Sequence, residues 1–243
     1  MASIAVSEAN GVRYLHLGSD LVQGAMRIAR PWSLELEYTR EMMMPLMLRA
    51  ERWPASVLQI GLGSASITRF LHRNRPKARI TIVETLPEVV DAARRYFKLP
   101  DESRRLRVEM GDGSDYVAAK DTSFDLIVVD GFDGEGRAGL LDTTPFFLNC
   151  RARLADGGMV SINLIERNRG VKASIERIRK AFDGHALVLP RFQGGNTIVI
   201  AAREAPIPQR PGELRAAAAK LKGATGLDLA PTLQRLEAAP TQA

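Results

Sequence analysis

From residue 56 onward, short apolar runs alternate with segments of helical period, and that alternation leaves the chain few folds to choose from. "SVLQI" (56–60) runs through Gly61 and Gly63 into "ASITRFLHRN". "RITIVE" (79–84) runs into "LPEVVDAARRYF", where Val89, Val90, Ala93 and Phe97 share a face and Pro87 suits a first helical turn. "LRVEMGDG" and "SDYVAAK" repeat the unit, and "FDLIVVDGFDGEG" adds an apolar strand with an acidic loop. "TTPFFLNCRARL" is a fourth helix, which Asp156-Gly157-Gly158 is expected to end, and "GMVSINLI" is a fifth strand. After the helix "VKASIERIRKAF", the segments "HALVLP" and "NTIVIAA", joined by "RFQGGN", predict a closing antiparallel pair. Apolar strands between amphipathic helices must be covered on both faces, which predicts an α/β, Rossmann-like fold with a mostly parallel seven-stranded sheet.

The flanks read differently. "GVRYLHLGSDLVQGAMRI" predicts a small strand hairpin and "LELEYTREMMMPLMLRA" a helix, with Met42, Met43, Met44 and Met47 as packing residues. Beyond residue 203 the chain is rich in Ala and Pro and holds one or two modest helices. The expected division is an N-terminal extension (1–55), a nucleoside-binding domain (56–203) and a helical tail (204–243). With 45% hydrophobic and 26% charged residues, 243 residues can bury a substantial core. No apolar run approaches the roughly 18 residues of a membrane span, and the N-terminus lacks a leader pattern, so a soluble cytoplasmic protein is expected. Cys150 is the only cysteine and lies among apolar neighbours, as a buried structural thiol would. His16, His72 and His185 have no ligand spacing, and no metal is expected. The net charge of +6 is spread over many short clusters broken by acids, which describes a solvated basic surface rather than a nucleic-acid footprint.

In an open α/β sheet, ligands bind at the carboxyl ends of the strands, and the informative residues fall there. Gly61 and Gly63 let the backbone approach a ligand closely. Glu84 closes the second strand about twenty residues on, the spacing at which a carboxylate accepts from both hydroxyls of a ribose. Asp112-Gly113 follows the third strand, where an acid can accept from an adenine amino group. Ser66 stands where the third glycine of a dinucleotide turn would be, and a ligand without a pyrophosphate does not impose that glycine. The residues therefore favour S-adenosylmethionine or its decarboxylated form over NAD.

Taken as an ordered series, "LVQGAMRI", "VLQIGLGSASITRFL", "IVETLPEVVDAARRYFKLP", "GDGSDYV", "FDLIVVDGFD" and "FFLNCRARLADGGMVSINL" resemble the spermidine synthases and their relatives on the class I methyltransferase fold, from about Tyr14 to Ala202. The resemblance implies that Gly61, Gly63 and Glu84 hold the nucleoside of an aminopropyl donor, that Asp112 and Gly113 lie by its adenine, and that Gln23 touches it. It also implies an Asp-x-x-Asp loop at Asp130 and Asp133, with Asp130 as the catalytic carboxylate, also in contact with the donor. Asp133, and Glu135 after it, would attract the remaining cationic groups of a polyamine. The pattern departs from the family at Ser64, where an aspartate usually holds the donor's amino end, at Asn163, where a glutamine is usual, and at Phe192, where a substrate-side tyrosine is expected. Tyr38 stands near the place of a gatekeeper tyrosine, although its surroundings align only with a shift.

Three activities stay open on these residues. The first is aminopropyl transfer from decarboxylated S-adenosylmethionine to putrescine or a related amine, with Asp130 freeing the amine's lone pair. The second is methyl transfer from S-adenosylmethionine to a small molecule, which the missing acid at Ser64 hinders less. The third is a protein that binds the nucleoside without turnover, with NAD-dependent oxidoreduction behind all three. The expected partner is a small-molecule amine, and the apolar surface of "LELEYTREMMMPLML" makes a homodimer through the N-terminal region an open possibility.

Overall fold

The N-terminal extension is a three-stranded antiparallel sheet of β1 (Ile4–Ala9), β2 (Val12–Leu17) and β3 (Val22–Arg27). The sequence pattern predicts β2 and β3, and the structure adds β1. Its signal is Asn10-Gly11, a two-residue turn with both residues at positive φ (52° and 72°), the conformation that joins tight hairpins. The computed structural model describes residues 4–18, 22–119, 121–133, 135–165, 170–191, 195–207 and 210–239.

The expected helix over residues 34–50 is shorter than its pattern. It comprises α1 (Glu37–Met42) and a separate 3₁₀ turn, Met44–Met47. Pro45 interrupts it, because a proline ring clashes with the carbonyl four residues back and offers no N–H. Met42, Met43 and Met44 are fully buried, as packing residues should be.

The main sheet then assembles as the periodicity requires. Its parallel strands are β4 (Ser56–Ile60), β5 (Arg79–Glu84), β6 (Leu106–Met110), β7 (Phe124–Val129) and β8 (Leu154–Ile165). Two further strands, β9 (Ala186–Val188) and β10 (Asn196–Ala202), close the edge; β10 runs antiparallel to both β8 and β9. The spatial order is β6-β5-β4-β7-β8-β10-β9, a Rossmann-like sheet whose order reverses direction at β4.

Helices α2 (Ser66–Asn74), α3 (Pro87–Tyr96), α4 (Gly113–Ala119), α5 (Thr144–Ala152) and α6 (Val171–Ala181) are the connections, and α7 (Pro211–Thr225) and α8 (Ala230–Ala238) form the tail. Strand alternation divides the interior into two layers. Val57, Leu126, Val128, Ile198 and Ile200 face the layer that holds α2, α3, the methionines and the tail helices. Leu58, Ile60, Ile127, Val129 and Val199 face the layer of Phe146, Phe147, Cys150 and Phe182. Cys150 is buried there, and burial raises its thiol pKa.

One expected boundary is corrected. Asp156-Gly157-Gly158 does not end α5, which closes at Ala152 with the Arg153 N–H donating to the Asn149 and Cys150 carbonyls. The triplet lies inside β8, with Gly157 at φ 68° and a register shift opposite Phe124 and Leu126. A side chain at Gly158 would come within 2.7 Å of the Ala155 carbonyl oxygen, so the glycines make a kink in the strand rather than a helix stop.

Candidate active site

The carboxyl ends of β4, β5, β6, β7 and β8 open into one cavity of about 610 Å³, and residues 23, 38, 61, 63, 84, 112, 113, 130, 133 and 163 all line it. The reversal of strand order at β4 is the reason: connections leave the sheet on opposite sides there, and the strand ends are left uncovered. β3 and α1 add to the wall through Gln23 and Tyr38.

Gly61 sits at φ 88°, and a Cβ on it would lie 2.2 Å from the Asp130 carbonyl oxygen. Only glycine lets the ends of β4 and β7 meet so closely, and the meeting is fixed by the Asp130 N–H donating to the Ile60 carbonyl at 2.9 Å. Gly113 is equally confined, since a Cβ there would lie 2.3 Å from the Ile60 side chain.

Glu84 is buried against the glycine turn. Its Oε2 accepts the Leu62 N–H at 2.9 Å, and its Oε1 accepts the Thr85 and Leu86 N–H groups at 2.9 and 3.0 Å. These bonds fix the carboxylate in the cavity wall beside Gly61 and Gly63, and a carboxylate with about four lone-pair sites keeps capacity for a ligand hydroxyl. Asp112 combines two tasks. Its Oδ1 caps α4 by accepting the Ser114 N–H at 2.7 Å, while the residue lines the cavity.

Asp130 is held by side chains rather than by backbone. Its Oδ1 accepts the Asn163 amide at 2.8 Å, and the Tyr38 hydroxyl donates to the same carboxylate. Enclosure by protein raises its pKa, opposed by the hydrogen bonds from Asn163 and Tyr38. The same burial, with the neighbouring negative charge, pushes the Tyr38 hydroxyl well above its ordinary pKa and keeps it a donor. Tyr38 therefore does reach the site, although its sequence context did not align.

Asp133 and Glu135 lie at the rim. Burial acts to raise the Asp133 pKa, but bonds from the Arg137 backbone and guanidinium and from the Glu135 N–H outweigh it and bring the pKa down. Its Oδ2 takes the Arg137 Nε at 2.8 Å, and Glu135 pairs with the same guanidinium at 2.7 Å. The loop acids are thus partly neutralised from within the loop.

The sequence of residues 36–201 matches the family model of the spermine/spermidine synthase domain. The chain belongs to the spermine/spermidine synthase family. A polyamine aminopropyltransferase of Neisseria meningitidis is 37% identical over 235 residues, 97% of this chain and 89% of that protein. The crystal structure of a probable spermidine synthase from Corynebacterium glutamicum has the same fold, with a TM-score of 0.76 at 21% identity over 100% of this chain and 92% of the other. Human methyltransferase-like protein 13, solved in complex with SAH, also shares the fold, with a TM-score of 0.65 at 23% identity over 86% and 95% of the two chains. The chain is accordingly a member of a transferase family on a methyltransferase-like sheet.

Against that family, the departures have definite positions. Ser64 is buried and does not line the cavity; its hydroxyl shares a 2.9 Å hydrogen bond with Ser66, which in turn donates to the Ala25 carbonyl at 2.8 Å. Both serines therefore fasten the glycine turn to β3, and Ala65 at φ 56° is the turn's left-handed residue that is not glycine. Asn163 is buried and bonded to Asp130. Phe192 lies outside the described residues. Sequence reasoning missed Asn196, Arg137 and Leu141 as cavity residues. Asn196 opens β10, a strand with no motif, and only its pairing to β8 brings it near.

Proposed function

We propose that this family member transfers an aminopropyl group from decarboxylated S-adenosylmethionine to a small amine, putrescine or a close relative. The carrying observation is that Asp130, raised in pKa and held by Tyr38 and Asn163, shares one cavity with Glu84 fastened at the glycine turn. In this reading Glu84 accepts from the ribose hydroxyls, Asp112 from the adenine amino group, and Gly61, Gly63, Gly113 and Gln23 shape the donor's bed. The amine reaches the site as an ammonium. Asp130 takes its proton, the freed lone pair attacks the methylene beside the sulfonium, and the C–S bond breaks with its electrons passing to sulfur. The products are methylthioadenosine and an elongated secondary ammonium, and Asp130 then passes the proton it took to solvent and returns to its carboxylate. A base whose pKa is moved toward working pH suits that proton transfer. Asp133 and Glu135 draw the cationic acceptor to the rim.

A second reading, methyl transfer from S-adenosylmethionine, has one observation in its favour: Ser64 is turned away from the cavity, so no acid stands there against a donor carboxylate. The products decide. Incubation with decarboxylated donor and putrescine is expected to yield methylthioadenosine, with Asp130→Asn slowing turnover by about 10²-fold or more while nucleoside affinity persists. S-adenosylhomocysteine formed in a parallel incubation with S-adenosylmethionine, without methylthioadenosine from the decarboxylated donor, establishes the second reading, and full turnover in the variant removes Asp130 from its role. The proposal also takes the protein as cytoplasmic; the expected dimer surface at residues 34–48 is buried in the core with the tail helices, so a homodimer would have to use exposed Val22, Ile28 and Trp32 instead, and sedimentation of the full chain measures whether one forms.

A further inference from the structure

A side-chain amide has two unlike ends, and which end Asn163 presents to Asp130 decides whether the carboxylate is held or repelled. Asn163 and Ile198 are direct partners across the β8–β10 pair, as are Ile165 and Asn196, so Asn163 and Asn196 are diagonal neighbours on one face of the sheet. The Asn196 Nδ2 donates to the Asn163 Oδ1 at 2.9 Å, and the Asn163 Nδ2 donates to the Asp130 Oδ1 at 2.8 Å. This chain has a single consistent polarity. An ionised carboxylate can only accept, so Asn163 must offer its N–H; its oxygen then needs a donor, and Asn196 supplies one.

We propose that Asn196 is a positioning residue for the transfer: by fixing the orientation of the Asn163 amide, it keeps Asp130 ionised and aimed at the amine. The inference rests on the reading of Asp130 as proton acceptor. Asn196 acts through Asn163 and lies on the far side of it from the carboxylate. The other charged or titratable groups around the same cavity are Tyr38 from α1, Glu84 from β5, Asp112 beyond β6, and Asp133, Glu135 and Arg137 beyond β7. The first of them bonds Asp130 directly, and the polarity set by Asn196 acts through the separate bond from Asn163.

The variants Asn196→Asp and Asn196→Leu separate orientation from charge. Aspartate at 196 can only accept, so Asn163 must turn its N–H away from Asp130 and present its oxygen. Leucine has nearly the same shape, carries no charge and no longer dictates the amide. Both are expected to move the acid limb of the kcat profile for aminopropyl transfer to higher pH, lowering kcat at pH 6 by about tenfold for aspartate and less for leucine, with KM for the donor within about twofold. In parallel, carboxyl ¹³C NMR of aspartate-labelled protein, with the Asp130 signal identified by its loss in Asp130→Asn, is expected to show Asp130 titrating at higher pH in both variants. That readout needs no turnover. Should Asn196→Asp fail to fold, judged by methylthioadenosine binding, Asn196→Leu decides alone. An unmoved Asp130 titration and pH profile in Asn196→Leu overturns the inference, as does a loss confined to donor KM. Asp130→Asn distinguishes the two levels: if it abolishes transfer while the 196 variants change nothing, only the inference fails, and if it retains transfer, the reading beneath it fails as well.

Discussion

At the scale of the residue, Asp130 carries opposite demands for activity and for stability. Its burial raises the pKa, and the bonds from Asn163 and Tyr38 recover part of that penalty. A carboxyl with a raised folded pKa gives stability that is complete below the unfolded pKa, near 4, and is lost as pH rises through the folded value. Asp130→Asn removes the buried charge and keeps groups that can bond Asn163 and Tyr38. The variant is therefore expected to melt at a higher temperature than the parent at pH 7, with the difference shrinking toward pH 4. A melting series over that range checks it; a variant less stable at pH 7 would mean the hydrogen bonds more than offset burial of the charge. Glu84 and Asp112 were legible as site residues because each ends or follows a strand, and a strand's carboxyl end is a fixed place in this architecture. Tyr38 and Asn196 had no such marker.

At the scale of the element, the donor side depends on how the turn before α2 is held. Arg69 of α2 is buried with no carboxylate against it among the described residues, and burial lowers its pKa. It donates instead to three carbonyls: Pro31 after β3 at 2.6 Å, Phe97 at the end of α3 at 2.5 Å, and Ser64 in the glycine turn. One guanidinium thus ties the N-terminal sheet, the turn and a helix end together. Arg69→Met leaves those carbonyls without their charged donor and is expected to destabilise the fold by about 2–4 kcal/mol and to weaken nucleoside binding. Denaturant unfolding and calorimetry with methylthioadenosine measure the two effects; loss of stability without loss of binding would separate the turn from the helix. Helical period showed that α2 forms, but it could not show that an arginine on it faces inward.

At the scale of the whole molecule, the two extensions meet on one face of the sheet. Leu214, Leu221, Leu229 and Leu233 of the tail share an apolar layer with Met42 through Met47. Glu41, 1% exposed, accepts from Thr232 at 3.2 Å and pairs with Arg235. Burial raises the Glu41 pKa despite that arginine, so the pair depends on the tail for its compensation. Removing residues 204–243 would expose the methionine layer and strip Glu41 of its partner. The truncated chain is expected to lose at least about 3 kcal/mol of stability and to aggregate, as unfolding and light scattering would register. A truncated chain as stable as the parent would make the tail an ornament. The sequence by itself determined the strands, the parallel sheet and the acids at its open end, because periods of two and 3.6 residues and the glycine turn are local consequences of backbone geometry. Tertiary structure alone decided that Tyr38 and Asn163 grip Asp130, that Ser64 faces away from the cavity, and that Asn196 stands behind Asn163. Those contacts join residues dozens of positions apart, and their partners are chosen by sheet register and packing, which no local pattern encodes.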